Sequence, residues 1–524
     1  CHLIFDVKFG EGFRRKVRNC AGGHKVPTPV EMRYSSVVSR ESVRIALTIA
    51  ALNGLDVKSS DVQNAYLTAP CAEKIWTKLG PEFGPDEGKR AIIVRALYGL
   101  GSAGNSYNTH ISNCMRHMGY KNCRADHDLW FKADVHPDGV PYYKYLLLYV
   151  DDCLSIAVDA KQELERLDHY FQMKPGSIQD PDVYLGTKIK KVMLPNGVVA
   201  WGMSSSKYVQ EAVKQIDKWL SSDKNKMRKQ LMKNPRSTWP SGYEAELDTS
   251  EELNAEDSNY YQHLVGVAHW IVELGRIDII TEVSVLSSYL ANPRDGHMDA
   301  ALHLCSWLKN HHNARLILDP SYPDIDQDNF IQRDWKNAYG DIKEELPPDM
   351  PKPLGKEVDL RLFVDSSHAS DKINRRSRTG FFVFMNSALI QWCSKKQPTI
   401  ESSVFGAEFV AMKHGIETVR GIRYKLRMMG VPLSGATYVY GDNMSVIHNT
   451  QRPESMLKKK SNSICYHTIR ESCATGESIT GHIRSKDNPS DLASKILPSG
   501  QLREHLVRDT PLLYDIYDDH SEKE

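Results

Sequence analysis

Tyr145-Leu-Leu-Leu-Tyr149-Val150-Asp151-Asp152-Cys153-Leu-Ser-Ile-Ala-Val158 consists of two apolar runs joined by a pair of acids. Each run is short and continuous in the manner of a buried strand, so the stretch predicts a hairpin carrying carboxylates at its tip. Adjacent acids at the end of an apolar strand repel each other and must stay solvated or bind a cation. Taken alone, the pair also reads as an Asp-Asp turn between surface strands. Asp61, in Ser60-Asp61-Val62-Gln63-Asn64-Ala65-Tyr66-Leu67, lies far enough upstream for a helix-containing crossover to bring a further strand end beside the hairpin.

A second pattern begins after Gly355. Residues 360–364, 381–385 and 388–392 read as consecutive strands, 405–429 as a helix closed by Gly430, and 437–440 and 478–483 as two more strands. Asp365 ends the first of these strands, Glu408 opens the helix, Asp442 ends the strand from Thr437, and Asp491 begins the final helix after Asn488-Pro489-Ser490. Such a cluster would repel itself without cations, yet could hold two magnesium ions that activate water and stabilise a leaving oxygen. Singly, the same residues read as strand-end acids and helix caps, Asp491 above all.

A chain of 524 residues exceeds what one hydrophobic core usually serves, which predicts two or more domains. With 41% hydrophobic and 25% charged residues the composition is that of a globular protein, and stretches such as Tyr142–Val150 are too short to span a bilayer. No membrane partner is expected. The ten cysteines show no CxxC spacing and the first residues lack a signal-peptide pattern, which predicts a reducing, intracellular setting. The net charge of +1 does not decide on nucleic acid, because phosphate responds to local patches. Basic clusters occur at Arg14-Arg15-Lys16 with Arg18, at 224–236 and at Lys458-Lys459-Lys460, against an acidic C-terminal tail. Pro347, Pro348, Pro351 and Pro353 break the apolar periodicity and mark a linker.

Asp61-Val-Gln-Asn-Ala-Tyr-Leu, Glu73-Lys-Ile-Trp-Thr, Ala96-Leu-Tyr-Gly-Leu100, Tyr149-Val-Asp-Asp and Tyr184-Leu-Gly-Thr-Lys-Ile follow one another in the order found in copia-type reverse transcriptases. Asp365-Ser-Ser-His-Ala-Ser, Arg378-Thr-Gly-Phe-Phe-Val-Phe, Gln391-Trp-Cys-Ser-Lys-Lys-Gln397, Ala407-Glu-Phe, Gly441-Asp-Asn, Tyr466-His and Ser490-Asp-Leu-Ala-Ser-Lys495 resemble the ribonuclease H domain of the same elements. The chain thus resembles the reverse transcriptase plus ribonuclease H region of a copia-type retrotransposon Pol polyprotein. The resemblance implies an α+β fold, with a right-hand polymerase of fingers, palm and thumb, then a connection and a mixed-sheet ribonuclease H domain. The implied boundaries are 1–195 for fingers and palm, 196–320 for thumb and connection, 321–355 for a linker, 356–500 for ribonuclease H and 501–524 for the tail.

It implies RNA-directed and DNA-directed DNA synthesis, with Asp61, Asp151 and Asp152 as polymerase metal ligands. Asp365, Glu408, Asp442 and Asp491 are the implied nuclease ligands. Each site would take two magnesium ions, with manganese able to substitute. Lys16 and Arg18 are implied to meet the nucleotide, Tyr66 to lie under its sugar, and a hairpin at Tyr184–Lys188 to hold the primer. The implied partners are an RNA template, a DNA or tRNA primer, deoxynucleoside triphosphates and an RNA–DNA hybrid. The implied setting is a cytoplasmic virus-like particle and, with the integration complex, the nucleus. Asp56 imitates the first motif, but the Ala65-Tyr66-Leu67 continuation belongs to Asp61; Glu401 similarly imitates Glu408. Gly101-Ser-Ala-Gly104 departs from the Lys-Gln-Ala-Pro of the family. No His-His-Cys-Cys pattern and no Asp-Thr/Ser-Gly appears, and with Cys1 as its first residue the chain reads as a piece of a longer polyprotein. Two other readings stay open: a decayed copy that binds nucleic acid with little catalysis, and a non-catalytic scaffold.

Overall fold

The computed structural model describes residues 1–8, 14–222, 229–508 and 514–516. It divides into two units, residues 1–43 with 54–181, and residues 44–53 with 182–524. The first unit opens on an antiparallel ribbon of β1 (His2–Lys8) and β2 (Arg14–Cys20). Helix α1 (Arg40–Leu52), counted from Arg44 on with the second unit, precedes β3 (Asp56–Asp61), and β4 (Pro70–Lys78) pairs with β5 (Arg90–Arg95). There follow α2 (Ala103–His117), β6 (Lys121–Cys123), β7 (Asp126–Val135), β8 (Pro141–Tyr149), β9 (Asp152–Ala157) and α3 (Ala160–Asp168).

The apolar run of the hairpin becomes the centre of a sheet ordered β3-β9-β8-β7-β6, antiparallel throughout. Its interior positions pack against Tyr107, Ile111 and Met115 of α2 and Leu164 and Leu167 of α3, with Trp130, Leu146, Leu148 and Phe171 in the same core. Burying such side chains is what holds the helices to the sheet, at about 1.5–3 kcal/mol for each large apolar group. The open end of the sheet is where the acids lie.

Beyond residues 44–53 the second unit continues with β10 (Val183–Tyr184), β11 (Thr187–Met193) and β12 (Val199–Ser204). Leu185 and Gly186, at φ of 52° and 80°, form the tight turn of the β10–β11 hairpin. Helices α4 (Ser206–Leu220), α5 (Ala255–Glu273), α6 (Ile280–Leu286) and α7 (Asp295–Asn310) precede β13 (Ala314–Leu318). The basic stretch expected at 224–236 lies outside the described residues up to 228, and Lys229 is taken up by Asp295 and Asp299.

Residues 319–359 carry no strand, as their prolines dictate, but they are fastened to the unit. Phe330 is buried edge-on to Tyr438 and Tyr440, at 4.9 Å from each ring, in the space left by Gly481. Although burial opposes its charge, Glu344 is held down to about 2 by Arg423 and Arg427.

The C-terminal sheet holds β14 (Leu360–Ser367), β15 (Arg378–Met385), β16 (Ala388–Lys396), then, after α8 (Val404–Met428), β17 (Thr437–Gly441). After α9 (Met444–Gln451) and α10 (Ser463–Ala474) comes β18 (Ser478–His482), then α11 (Asp491–Ser494) and α12 (Gln501–Arg508). The strand order is β16-β15-β14-β17-β18, with the first three antiparallel and β14, β17 and β18 parallel. Asp491 begins α11, which is not the last helix as expected, because the chain resumes helical structure at Gln501 beyond Pro498 and Gly500. The acidic tail expected at 501–524 lies outside the described residues at 509–513 and 517–524.

Candidate active sites at two carboxylate clusters

In the first unit Asp61 stands directly opposite Asp152 across the β3–β9 ladder, and Val62 N donates to Asp151 O at 2.8 Å. Tyr149 pairs with Asp152, leaving Val150 and Asp151 as a tight turn. Val150 sits at φ 55°, in a left-handed region that β-branched residues rarely adopt. Such strain costs about 1–3 kcal/mol and persists only where the surrounding ladder over-determines it. Asp56, the imitation of the first motif, sits at the other end of β3, opposite Ala157.

Burial, then the charges of Asp151 and Asp61, push the Asp152 carboxyl up to about 6, with Lys174 pulling the other way. Lys174 forms an ion pair with Asp61 Oδ2. The other oxygen, Oδ1, is buried with no hydrogen-bond donor. A buried acceptor left so costs about 1–3 kcal/mol, and a hard divalent cation satisfies it. The donor set therefore fits magnesium. Lys174 carries no local signal in the sequence, since it meets Asp61 only through the fold.

A cavity of about 990 Å³ opens beside Asp151 and is lined by Lys16, Arg18, Asn64, Tyr66, Tyr98 and Lys174, among others. The ribbon supplies the two basic residues. Tyr66 lies on a single helical turn, Ala65–Thr68, entered through Asn64 at φ 53°. Its ring is 5.0 Å from Tyr98, and burial, then the charge of Asp151, raises its hydroxyl pKa. Arg18 lies 5.9 Å over the Tyr98 ring. The Gly101–Gly104 departure also has a steric side. A Cβ at Gly101 would stand 3.1 Å from Thr28 Oγ1, and one at Gly104 would stand 3.2 Å from Ser35 Cβ.

In the second unit the parallel pairing of β14 with β17 carries Asp365 and Asp442 to neighbouring strand ends. Helix α8 starts at the Ser403 cap and presses on β14, where a Cβ at Gly415 would meet Leu362 at 2.8 Å. This brings Glu408 over Asp365. Ligand atoms of Asp365, Glu408 and Asp442 lie within 4.8 Å of one another, the only such metal-type trio among the described residues. Burial, then the charges of Asp365 and Asp442, drive the Glu408 carboxyl well above its ordinary range.

Asp491 joins them through two devices. The buried Asn488 amide donates to Val364 O at 3.0 Å and fixes the approach to β14. Gly380, which pairs with Asp365, lets the backbone of α11 lie on β15, because a Cβ there would be 2.6 Å from Ala493 C and Ser494 N. Burial, then Asp365, push Asp491 up to about 7. Three further contacts close the cluster: Ser494 Oγ donates to Asp365 Oδ2, and Lys495 Nζ stands 3.1 Å from the same oxygen and 2.7 Å from Asp491 Oδ1. Glu408 and Asp491, raised by burial and by the charges of their neighbours, belong to a donor set that a divalent cation relieves. Glu401 stands outside the cluster, bound to Asn462 Nδ2 at 3.0 Å.

Gly380→Ala is expected to lower stability by about 1–3 kcal/mol, because the clashing atoms are backbone and cannot turn aside. Thermal unfolding checks this, and an unchanged melting temperature would contradict the close approach.

Residues 12–218 match the family model described as reverse transcriptase (RNA-dependent DNA polymerase). That match takes in less than half of the chain. Across most of its length the chain is similar to the Pol polyproteins of copia-type transposons. It is 24% identical over 508 residues to the retrovirus-related Pol polyprotein from transposon RE2 of Arabidopsis thaliana, covering 95% of this chain and 31% of that protein. It is 25% identical over 474 residues to that from transposon TNT 1-94 of Nicotiana tabacum, covering 89% of this chain and 32% of that protein. The chain spans about a third of the length of these relatives. Among solved structures, the N-terminal ribonuclease H domain of rv2228c from Mycobacterium tuberculosis covers 26% of the chain at 12% identity, with a TM-score of 0.21.

Proposed function

We propose that the chain is an RNA-directed and DNA-directed DNA polymerase with ribonuclease H activity that copies retrotransposon RNA into DNA. The observation that carries the reading is that the reverse transcriptase segment brings Asp61, Asp151 and Asp152 to one sheet end, beside a cavity walled by Lys16, Arg18 and Tyr66. The β3-β9-β8-β7-β6 sheet is the palm in this reading, the β1–β2 ribbon belongs to the fingers, and the β10–β11 hairpin holds the primer. The helices between 206 and 310 serve as thumb and connection.

Asp61, Asp151 and Asp152 would hold magnesium, as would Asp365, Glu408, Asp442 and Asp491. Bound there, such ions would supply the acidification of the attacking hydroxyl or water and the neutralisation of the leaving oxygen. Lys16 and Arg18 offer their charges to a triphosphate, and the strained turn at Val150 keeps Asp151 aimed at it. Lys174 holds Asp61 until a cation takes its place. In the nuclease, Asn488 and Gly380 keep Asp491 over Asp365, so the four acids address one phosphodiester. The partners are an RNA template, a DNA or tRNA primer, deoxynucleoside triphosphates and the RNA–DNA hybrid.

The test is extension of a DNA primer on an RNA template, which should require magnesium and stop on chelation. Binding of template and primer without extension would overturn the proposal. Tyr66 gives a finer prediction. If its ring blocks a 2′-hydroxyl, Tyr66→Val should raise ribonucleotide incorporation by about tenfold or more, the worth of one steric exclusion of about 1.4 kcal/mol. Single-nucleotide incorporation with ribo- and deoxyribonucleotides measures this; unchanged discrimination would make Tyr66 a packing residue.

A further inference from the structure

Lys495 does more than pair along its own chain. An ammonium that only braced α11 would touch Asp491, four residues back, as helical pairs do. Lys495 Nζ stands 2.7 Å from Asp491 Oδ1 and also 3.1 Å from Oδ2 of Asp365, a side chain that is 1% exposed and comes from β14. The ammonium thus bridges two acids that only the tertiary fold brings together. Ser494 Oγ donates to the same Asp365 oxygen, so that oxygen is occupied from two sides.

The four acids are therefore not equivalent. Asp365, Glu408 and Asp442 bring ligand atoms within 4.8 Å of one another, and among the described residues neither Glu408 nor Asp442 has an ion-pair partner. That trio is open to a cation. The Asp365–Asp491 pair already holds one. A position between two carboxylates is where a divalent ion shared by them would bind, and an ammonium and a divalent ion cannot both stand there.

We infer that Lys495 is a built-in cation filling one of the two metal positions of the nuclease site, so that the site takes one divalent ion before substrate binds and the second only with it. The inference rests on the ribonuclease H reading. The arrangement is physically reversible. Lys495 lies at the end of α11 with its side chain 37% exposed, and a four-carbon stem lets the ammonium swing into water without leaving a cavity. An arriving phosphodiester supplies the anion that draws the ammonium off Asp365 and the oxygens that complete a second ion's coordination. Ser494, one residue earlier, keeps Asp365 oriented while the exchange occurs. The three-carboxylate position is filled first, and the second position is gated by the chain's own lysine.

The test counts manganese ions bound by the full chain without nucleic acid, by electron paramagnetic resonance of the free ion. Asp151→Asn and Asp152→Asn together serve as background to silence the polymerase cluster. The background protein should bind one ion at the nuclease site, Lys495→Met should bind two, and Lys495→Arg should stay at one, with unfolding curves showing all three folded. Adding Asp442→Asn to the background should remove the single ion, which locates it at the trio. Two ions in the background protein, or no gain in Lys495→Met, would overturn the inference. Cleavage of an RNA–DNA hybrid by the background protein is followed separately. Its absence would overturn the ribonuclease H reading, whereas cleavage with two ions bound beforehand would overturn only the role of Lys495.

Discussion

Asp152→Asn is expected to abolish DNA synthesis while leaving the protein folded and at least as stable as the parent. Asp152 ends β9 opposite Asp61, and its carboxyl is pushed up to about 6 by burial and then by Asp151 and Asp61. The amide fills the same space without the repulsion, so the fold loses nothing and no cavity forms. In the proposed reading the metal position loses a charged oxygen ligand. Because a bound metal contributes several kcal/mol of charge stabilisation, the loss in rate should be about three orders of magnitude or more. Primer extension beside thermal unfolding checks both halves. Extension at the parent rate would remove Asp152 from the metal site.

Asp442→Asn is expected to stop cleavage of RNA in a hybrid, by a similar factor, while DNA synthesis continues. Asp442 follows β17 and supplies one of the three ligand atoms that lie within 4.8 Å of one another. It belongs to the second unit, whereas Asp61, Asp151 and Asp152 belong to the first. The expected product is full-length DNA still paired to intact RNA. Retained RNA cleavage would contradict the assignment of Asp442, and loss of both activities with unchanged melting would contradict the independence of the sites.

Much of this was legible in the residues because it rests on local patterns. The apolar runs around Asp151 and Asp152 form β8 and β9, since a continuous apolar stretch flanked by turn residues has few other solutions. The strands read at 360–364, 381–385, 388–392 and 437–440 appear as β14 to β17, most of them longer by a few residues because ladder pairing extends past the apolar positions. What stayed out of reach depends on who meets whom across the fold. Lys174 reaches Asp61, and Lys495 reaches Asp365, through contacts that no spacing along the chain encodes. The same holds for Glu344, whose two arginine partners lie on α8 and fasten a stretch that composition alone marks as a linker. Gly380 carries no local signal of its close approach to the backbone of α11, which only the fold brings against it.

The proposed function places two separate magnesium-dependent sites on one chain, one that makes DNA and one that removes RNA. The most direct measurement places the full chain with a DNA primer annealed to end-labelled RNA, deoxynucleoside triphosphates and magnesium, and follows DNA length and RNA fragments in the same tube. Both signals should appear together with the parent chain, Asp152→Asn on a preformed hybrid should release RNA without making DNA, and Asp442→Asn should make DNA without releasing RNA. A parent chain that binds the substrate yet gives neither signal, or variants that lose both signals together while folded, would contradict it.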